Sequence, residues 1–277
     1  MRILLFITIM FSGLLSQAQE QGVSIIKNIH YASAQPELYK DTSSGRTLDL
    51  YIPKGNSNQK YPVLVFVHGG GFSGGDKAGT KELCTNISEQ GFIVASINYR
   101  LYLKGKNISA ARADINMAKG LPQNGKFHPE LQKAVEIASE DIVLTLGWLK
   151  KNIRKYNFNI QSVALAGGSA GAMSVLYAAY LSGQKKLPVK AVINLWGGVE
   201  NTALIKPQKN IPPLLTYHGD EDKIINVAYA YALQGRMKEL NSQESVTNII
   251  KGKGHALYAL IARYKIEEVA GFLRQNL

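Results

Sequence analysis

Five histidines, one cysteine and a handful of carboxylates limit the chemistry this 277-residue chain can perform. Gly167-Gly168-Ser169-Ala170-Gly171 follows an apolar run and opens a helical one. A serine at a sharp strand-to-helix turn stands proud of a sheet, and its small neighbours tolerate the strained backbone it needs. Ser169 at the positive start of a helix is therefore a candidate nucleophile. His68-Gly69-Gly70-Gly71-Phe72 likewise ends an apolar run. Consecutive glycines let backbone N–H groups approach a substrate oxygen, so the amides of Gly70, Gly71 and Ala170 are candidate oxyanion donors. His68, placed before the glycines, reads as a buried brace for that loop rather than as a base.

A hydroxyl nucleophile needs a base and an orienting carboxylate. His30 precedes the core pattern, His128 lies in an irregular stretch, and His218 belongs to the turn His218-Gly219-Asp220-Glu221-Asp222. His255 sits in the glycine-flexed Lys251-Gly-Lys-Gly-His255 loop before the last helical segment. In the carboxylate turn both Asp220 and Asp222 are candidates, since either could instead cap its own backbone. No paired cysteines and no HExxH occur, so no metal site is expected, and covalent serine chemistry needs no cofactor.

These residues need a scaffold that brings distant strand ends together. Short apolar runs at 63–67, 92–97, 163–166, 191–195, 214–217 and, more weakly, 246–250 have the character of parallel strands covered on both faces. Helical periodicity alternates with them at 81–90, 131–155, 171–181, 226–240 and 257–276. This predicts an α/β fold with a mostly parallel central sheet and helices on both faces. Residues 46–53 alternate with Leu48, Leu50 and Ile52 on one side, which predicts a half-buried strand; residues 19–45 carry no clear pattern. Residues 101–130, rich in glycine and proline, form an insertion expected over one edge of the site and are a candidate lid.

At this point the chain resembles the HGGG-type esterases and lipases of the α/β-hydrolase superfamily. Within it, the hormone-sensitive-lipase-like and feruloyl/acetyl-esterase-like groups carry the same H-G-G-G-F and G-x-S-A-G motifs. The resemblance runs from about residue 46 to the C-terminus. It implies a triad in the order Ser169, Asp222, His255, with the family's H-G-x-x-D pattern selecting Asp222 over Asp220. It also implies hydrolysis of carboxylic esters, on small molecules or attached to polysaccharide, with acetyl and feruloyl groups as candidates. One departure is local: Asn157-Phe-Asn-Ile160 stands where relatives often have Gly-x-Asp-Pro. A peptidase is the nearest chemical alternative, and a catalytically idle binding module is the alternative from another class.

The first residues read as a secretory signal peptide: Arg2, an apolar stretch over 3–15, and the small-x-small site Ser16-Gln17-Ala18. The expected domains are a signal at 1–18 and one hydrolase domain at 19–277, exported or periplasmic, with no membrane span after cleavage. The apolar run is short for a membrane anchor. Cys84 cannot form an internal disulfide and reads as a small buried apolar residue. The net charge of +12 comes from lysines scattered in sequence without interleaved aromatics, so no nucleic-acid partner is expected. The oligomeric state is left open.

Overall fold

The computed structural model describes residues 22–33, 45–55 and 59–277. The expected signal peptide lies outside them. One eight-stranded sheet runs through the molecule in the order β1-β2-β4-β3-β5-β6-β7-β8. Its strands are β1 (Val23–His30), β2 (Thr47–Pro53), β3 (Tyr61–Val67), β4 (Ile93–Ile97), β5 (Phe158–Gly168), β6 (Ala191–Leu195), β7 (Leu214–Gly219) and β8 (Val246–Ile250). β1, β2 and β4 pair antiparallel; every other ladder, from β4 through β3 to β8, is parallel. The parallel strands are those that the apolar runs predict; β3 to β7 are mostly buried, whereas β8, at the sheet edge, is half-buried with Val246 exposed, which matches its weaker run.

Helices cover both faces. On one face lie α3 (Pro129–Lys151), α5 (Ala170–Tyr180) and α6 (Ala228–Glu239), whose Leu146, Leu176 and Leu233 share one hydrophobic cluster with Val65, Leu165 and Val192 of the sheet. On the other lie α1 (Lys81–Glu89), α7 (Tyr258–Tyr264) and α8 (Ile266–Asn276), with Leu83, Ile261 and Leu273 over Leu64, Ala164 and Ile193. Cys84, fully buried in α1, keeps its proton because burial pushes the thiol up to about 12. Among the described residues no helix is long and apolar enough to cross a membrane.

Three expectations need correction. The alternation of β2 does not mark a solvent face, since residues 47–51 are all buried. Its polar Asp49 is enclosed, 3.2 Å from the Lys77 ammonium and accepting the Asn28 N–H at 2.8 Å. Within the unpatterned 19–45 region, the described residues include β1, an edge strand whose mostly exposed side chains explain the weak signal. The single C-terminal helix is two, broken at Lys265 (φ −127°), so α7 can reach the sheet's upper end while α8 packs lower down. Residues 101–130 hold a short 3-10 turn (Ser109–Ala111) and α2 (Ala113–Met117), tied down by buried Leu101, Leu103, Met117 and Phe127.

Candidate active site

β5 delivers the chain at full extension and α5 begins one residue later, so Ser169 must turn the backbone alone. It does so at φ 55°, ψ −120°, a region L-residues rarely occupy. The turn is held by Ser169 N–H to Leu195 O (2.9 Å) and Met173 N–H to Ser169 O (2.9 Å). The close approach depends on Gly171: a Cβ there would run into the carbonyls of Val67 and His68 at the end of β3. The same contact carries the glycine loop of 69–71 against the nucleophile, and a Cβ on Gly69 would lie 3.2 Å from the Ser169 Cβ.

His255 and Asp222 arrive from the next strand ends. The His255 Nε2 lies 2.8 Å from the Ser169 Oγ, and its Nδ1 lies 2.7 Å from the Asp222 Oδ2. With Nδ1–H donating to the carboxylate, Nε2 is free to accept the serine proton. The other oxygen of Asp222 accepts the N–H groups of Ile224 (2.8 Å) and Ile225 (3.0 Å). Burial pushes the Asp222 carboxyl up, but hydrogen bonds from His218 and His255 and the Ile225 N–H outweigh it. The group is held well below the usual carboxylate range and stays charged.

The rivals stand elsewhere. Asp220 is exposed and accepts the Gly252 N–H at 2.7 Å, tying its turn to the loop that leads to His255. His218 is buried, bonds to the Ile225 carbonyl at 2.7 Å and lies 3.3 Å from Asp222. His68 is buried, its Nδ1 2.6 Å from the Gly69 carbonyl and its ring stacked on Tyr99 at 4.6 Å. Desolvation lowers its pKa, which keeps it neutral. His128 caps α3 by accepting the Glu130 N–H, and His30 ends the edge strand β1.

The loop over 69–75 folds back on itself through Ser73 N–H and Gly74 N–H to Gly70 O (3.1 and 3.0 Å), with Gly70 at φ 125° and Gly71 at φ 61°. Among the described residues the N–H groups of Gly70, Gly71 and Ala170 meet no protein acceptor. The Gly69 N–H is already committed, donating to the Tyr258 hydroxyl at 3.0 Å. Gly70, Gly71, Ser169 and His255 share one cleft of about 620 Å³. Ala170 is buried behind them at the first turn of α5.

Residues not singled out from the sequence complete the cleft. Tyr258, three positions after His255, touches the ends of both β3 and β5: its hydroxyl accepts from Gly69 and fills the space a Gly168 Cβ would need. Burial pushes its pKa up, so it remains a phenol. Trp196 follows β6 at φ 47° and packs edge-on to Tyr258 (4.9 Å) and His255 (6.4 Å). Its position just past a parallel strand's C-terminal end was the available signal. Arg112 and Asp114, paired at 2.8 Å, bring the 101–130 insertion to the cleft wall.

This sheet, with its helices and a serine at the strand-to-helix turn after β5, defines an α/β-hydrolase fold. The BD-FAE family model matches residues 48–119. Among solved structures, a truncated carbohydrate esterase from gut microbiota superposes with a TM-score of 0.64 at 16% identity, covering 93% of this chain and 98% of that one. A thermophilic esterase from Thermogutta terrifontis gives 0.63 at 15% identity, over 90% of each chain. The isoprenylcysteine alpha-carbonyl methylesterase ICME of Arabidopsis thaliana is 24% identical over 209 residues, 67% of this chain and 48% of the relative. The chain spans half or less of the length of the first curated relatives it matches.

Proposed function

We propose that the protein is a serine esterase that hydrolyses carboxylic esters through an acyl-enzyme, with Ser169 as nucleophile, His255 as base and Asp222 as its orienting carboxylate. The observation that carries this reading is the unbroken relay of 2.8 Å and 2.7 Å from Ser169 through His255 to Asp222 at the floor of an open cleft. In the first half-reaction the Ser169 Oγ attacks the ester carbonyl and His255 Nε2 takes its proton. The carbonyl oxygen becomes an oxyanion facing the uncommitted N–H groups of Gly70, Gly71 and Ala170. The tetrahedral centre collapses, the proton passes from His255 to the leaving alcohol, and the acyl group stays on Ser169. Water, deprotonated by the same imidazole, repeats the sequence and frees the acid.

Names among the relatives and neighbours (methylesterase, fumonisin B1 esterase, carbohydrate esterase) support ester rather than peptide substrates. A polysaccharide-linked acetyl or feruloyl ester fits an exported protein, and export itself rests on the signal-like residues 1–18; one relative is a secreted lipase of Gibberella zeae. A fluorophosphonate should label the protein at Ser169 and leave Ser169→Ala unlabelled. No labelling of folded protein, or equal labelling of the variant, would overturn the reading. Assaying p-nitrophenyl acetate, butyrate and octanoate beside methyl ferulate then ranks the acyl groups. N-terminal sequencing of exported protein should begin at Gln19.

A further inference from the structure

Between Asp141 and Glu200 the chain has no acidic residue, yet it carries Lys150, Lys151, Arg154, Lys155, Lys185, Lys186 and Lys190. In sequence these look dispersed; the fold gathers them. Lys150 and Lys151 end α3, Arg154 and Lys155 lie in the short turn of helix α4 (Ile153–Tyr156) that feeds β5, and the other three lie in the loop from α5 to β6. Lys60 immediately precedes β3. β3, β5 and β6 are neighbours in the sheet, roughly 4.8 Å apart from strand to strand. Their entry segments are joined by Tyr61 N–H to Asn157 O (3.2 Å) and Lys190 N–H to Val163 O (2.8 Å).

All eight of these side chains are exposed, and none forms an ion pair among the described residues. The dipoles of α3 and α5, which both end here, offset only part of this charge. The cleft lies at the other end of the same strands, where cations and carboxylates are mixed: Arg112 pairs with Asp114, and Asp76 and Asp220 stand near by. Eight exposed cations without an ion pair among the described residues therefore share the end of the sheet remote from Ser169.

We propose that this basic end docks a carboxylated polysaccharide. Lysines outnumber arginine seven to one here, so the patch offers separate point charges and few of the planar forks that read base edges. None of the large apolar side chains exposed on the described surface belongs to residues 60, 150–155 or 185–190, so the patch has no anchor to enter a bilayer. A polymer bound at the strand entries leaves the cleft free to work on ester groups carried by the same material. The inference goes beyond the esterase reading, and its test does not depend on ester hydrolysis.

The full chain should be retarded in a native gel containing polygalacturonate at about 0.05 M salt, released by about 0.5 M salt, and unaffected by a neutral galactan. A variant carrying Lys150→Gln, Lys151→Gln, Lys155→Gln, Lys185→Gln and Lys186→Gln should lose at least about tenfold in affinity, while its melting temperature and p-nitrophenyl acetate turnover stay at wild-type values. A second variant with the same charge change elsewhere, at Lys81, Lys119, Lys126, Lys223 and Lys251, should keep most of its retardation. Equal loss in both variants would reduce the effect to net charge and overturn the proposal. So would absence of retardation at low salt, or tighter binding to duplex DNA or phosphatidylserine vesicles than to polygalacturonate.

Discussion

Asp220 and Asp222 stand two residues apart in one turn but differ in what they hold. Asp222 receives His255, His218 and two backbone N–H groups, whereas Asp220, among the described residues, receives the Gly252 N–H. Asp222→Asn offers His255 an amide in place of a charge and removes the preference for the reactive tautomer; kcat should fall on the order of 10⁴-fold. Asp220→Asn should cost less than about tenfold, since one exposed hydrogen bond contributes about 1 kcal/mol or less. Steady-state kinetics on p-nitrophenyl acetate separate the two, and the reverse ranking would exchange their roles. The Asp222 carboxyl is held below its unfolded value, so the stability it contributes is present above about pH 4 and lost as pH falls further. The gap in urea stability between wild type and Asp222→Asn should therefore start to narrow near pH 4 and shrink progressively as the pH falls further. Tyr258 acts at the same scale through Gly69. Tyr258→Phe keeps the contacts with Trp196 and Phe66 but leaves the Gly69 N–H without its acceptor, freeing the loop that presents Gly70 and Gly71. The expected result is a kcat lower by about 10–100-fold with KM changed less than about threefold, because the loss falls on the transition state. A change confined to melting temperature would show that the hydroxyl only supports the fold.

At the scale of elements, what the sequence revealed depended on whether a signal was local. The turn at Ser169, the glycine run after β3 and the dry parallel strands are each written in consecutive residues, and each stands where the pattern predicts. Asp222 needed a family pattern to be chosen over Asp220, since only the three-dimensional meeting with His255 separates them. Tyr258 was illegible because its importance lies in a contact with Gly69, far away in the chain, and Trp196 offered only its place just past a strand end, since its contact with His255 also forms across distant segments. The exposed side chains of β1 and the break at Lys265 were missed because neither leaves an apolar period. The 101–130 insertion had the composition of a mobile loop, yet its α2 is bound to the turn after Asp222: Asn226 N–H and Nδ2 donate to the carbonyls of Met117 and Ala118, both at 3.1 Å. With Leu101, Leu103 and Phe127 also buried, we expect this segment to behave as a fixed wall rather than a lid. Tributyrin hydrolysis should accordingly rise smoothly through the substrate's solubility limit, without the jump that an opening lid produces at an interface. Slow hydrogen exchange at 113–118 would accompany it; fast exchange together with a rate jump would restore the lid.

Across the whole molecule, the antiparallel edge and the half that carries the proposed site are joined by one buried charge. Asp141, fully buried on α3, accepts the Arg46 Nε at 3.1 Å and the Arg100 Nε at 3.0 Å, and also the Arg100 backbone N–H at 2.7 Å. Arg46 stands at the entry to β2; Arg100 follows Tyr99, whose ring stacks on His68 beneath the glycine loop. The brace thus runs from the sheet edge through α3 to the support of the proposed oxyanion site. Asp141→Ala takes the shared carboxylate from two buried guanidinium groups, leaving Arg100 its pair with the exposed Glu140 (2.9 Å) and Arg46 its bond to the Ser33 carbonyl (3.2 Å). Removing one partner of such a group costs about 3–5 kcal/mol, enough to lower the melting temperature of a chain this size by about 10 °C. Replacing all three together (Arg46→Met, Arg100→Met and Asp141→Leu) removes the buried charges and should recover much of that loss, since well-packed apolar groups substitute for buried ion pairs at little cost. Differential scanning calorimetry of the two variants distinguishes a brace held by charge balance from one held by shape. If the single variant melts within about 2 °C of wild type, Asp141 does not tie the edge to the site, and the support for His68 must come from Tyr99 packing alone.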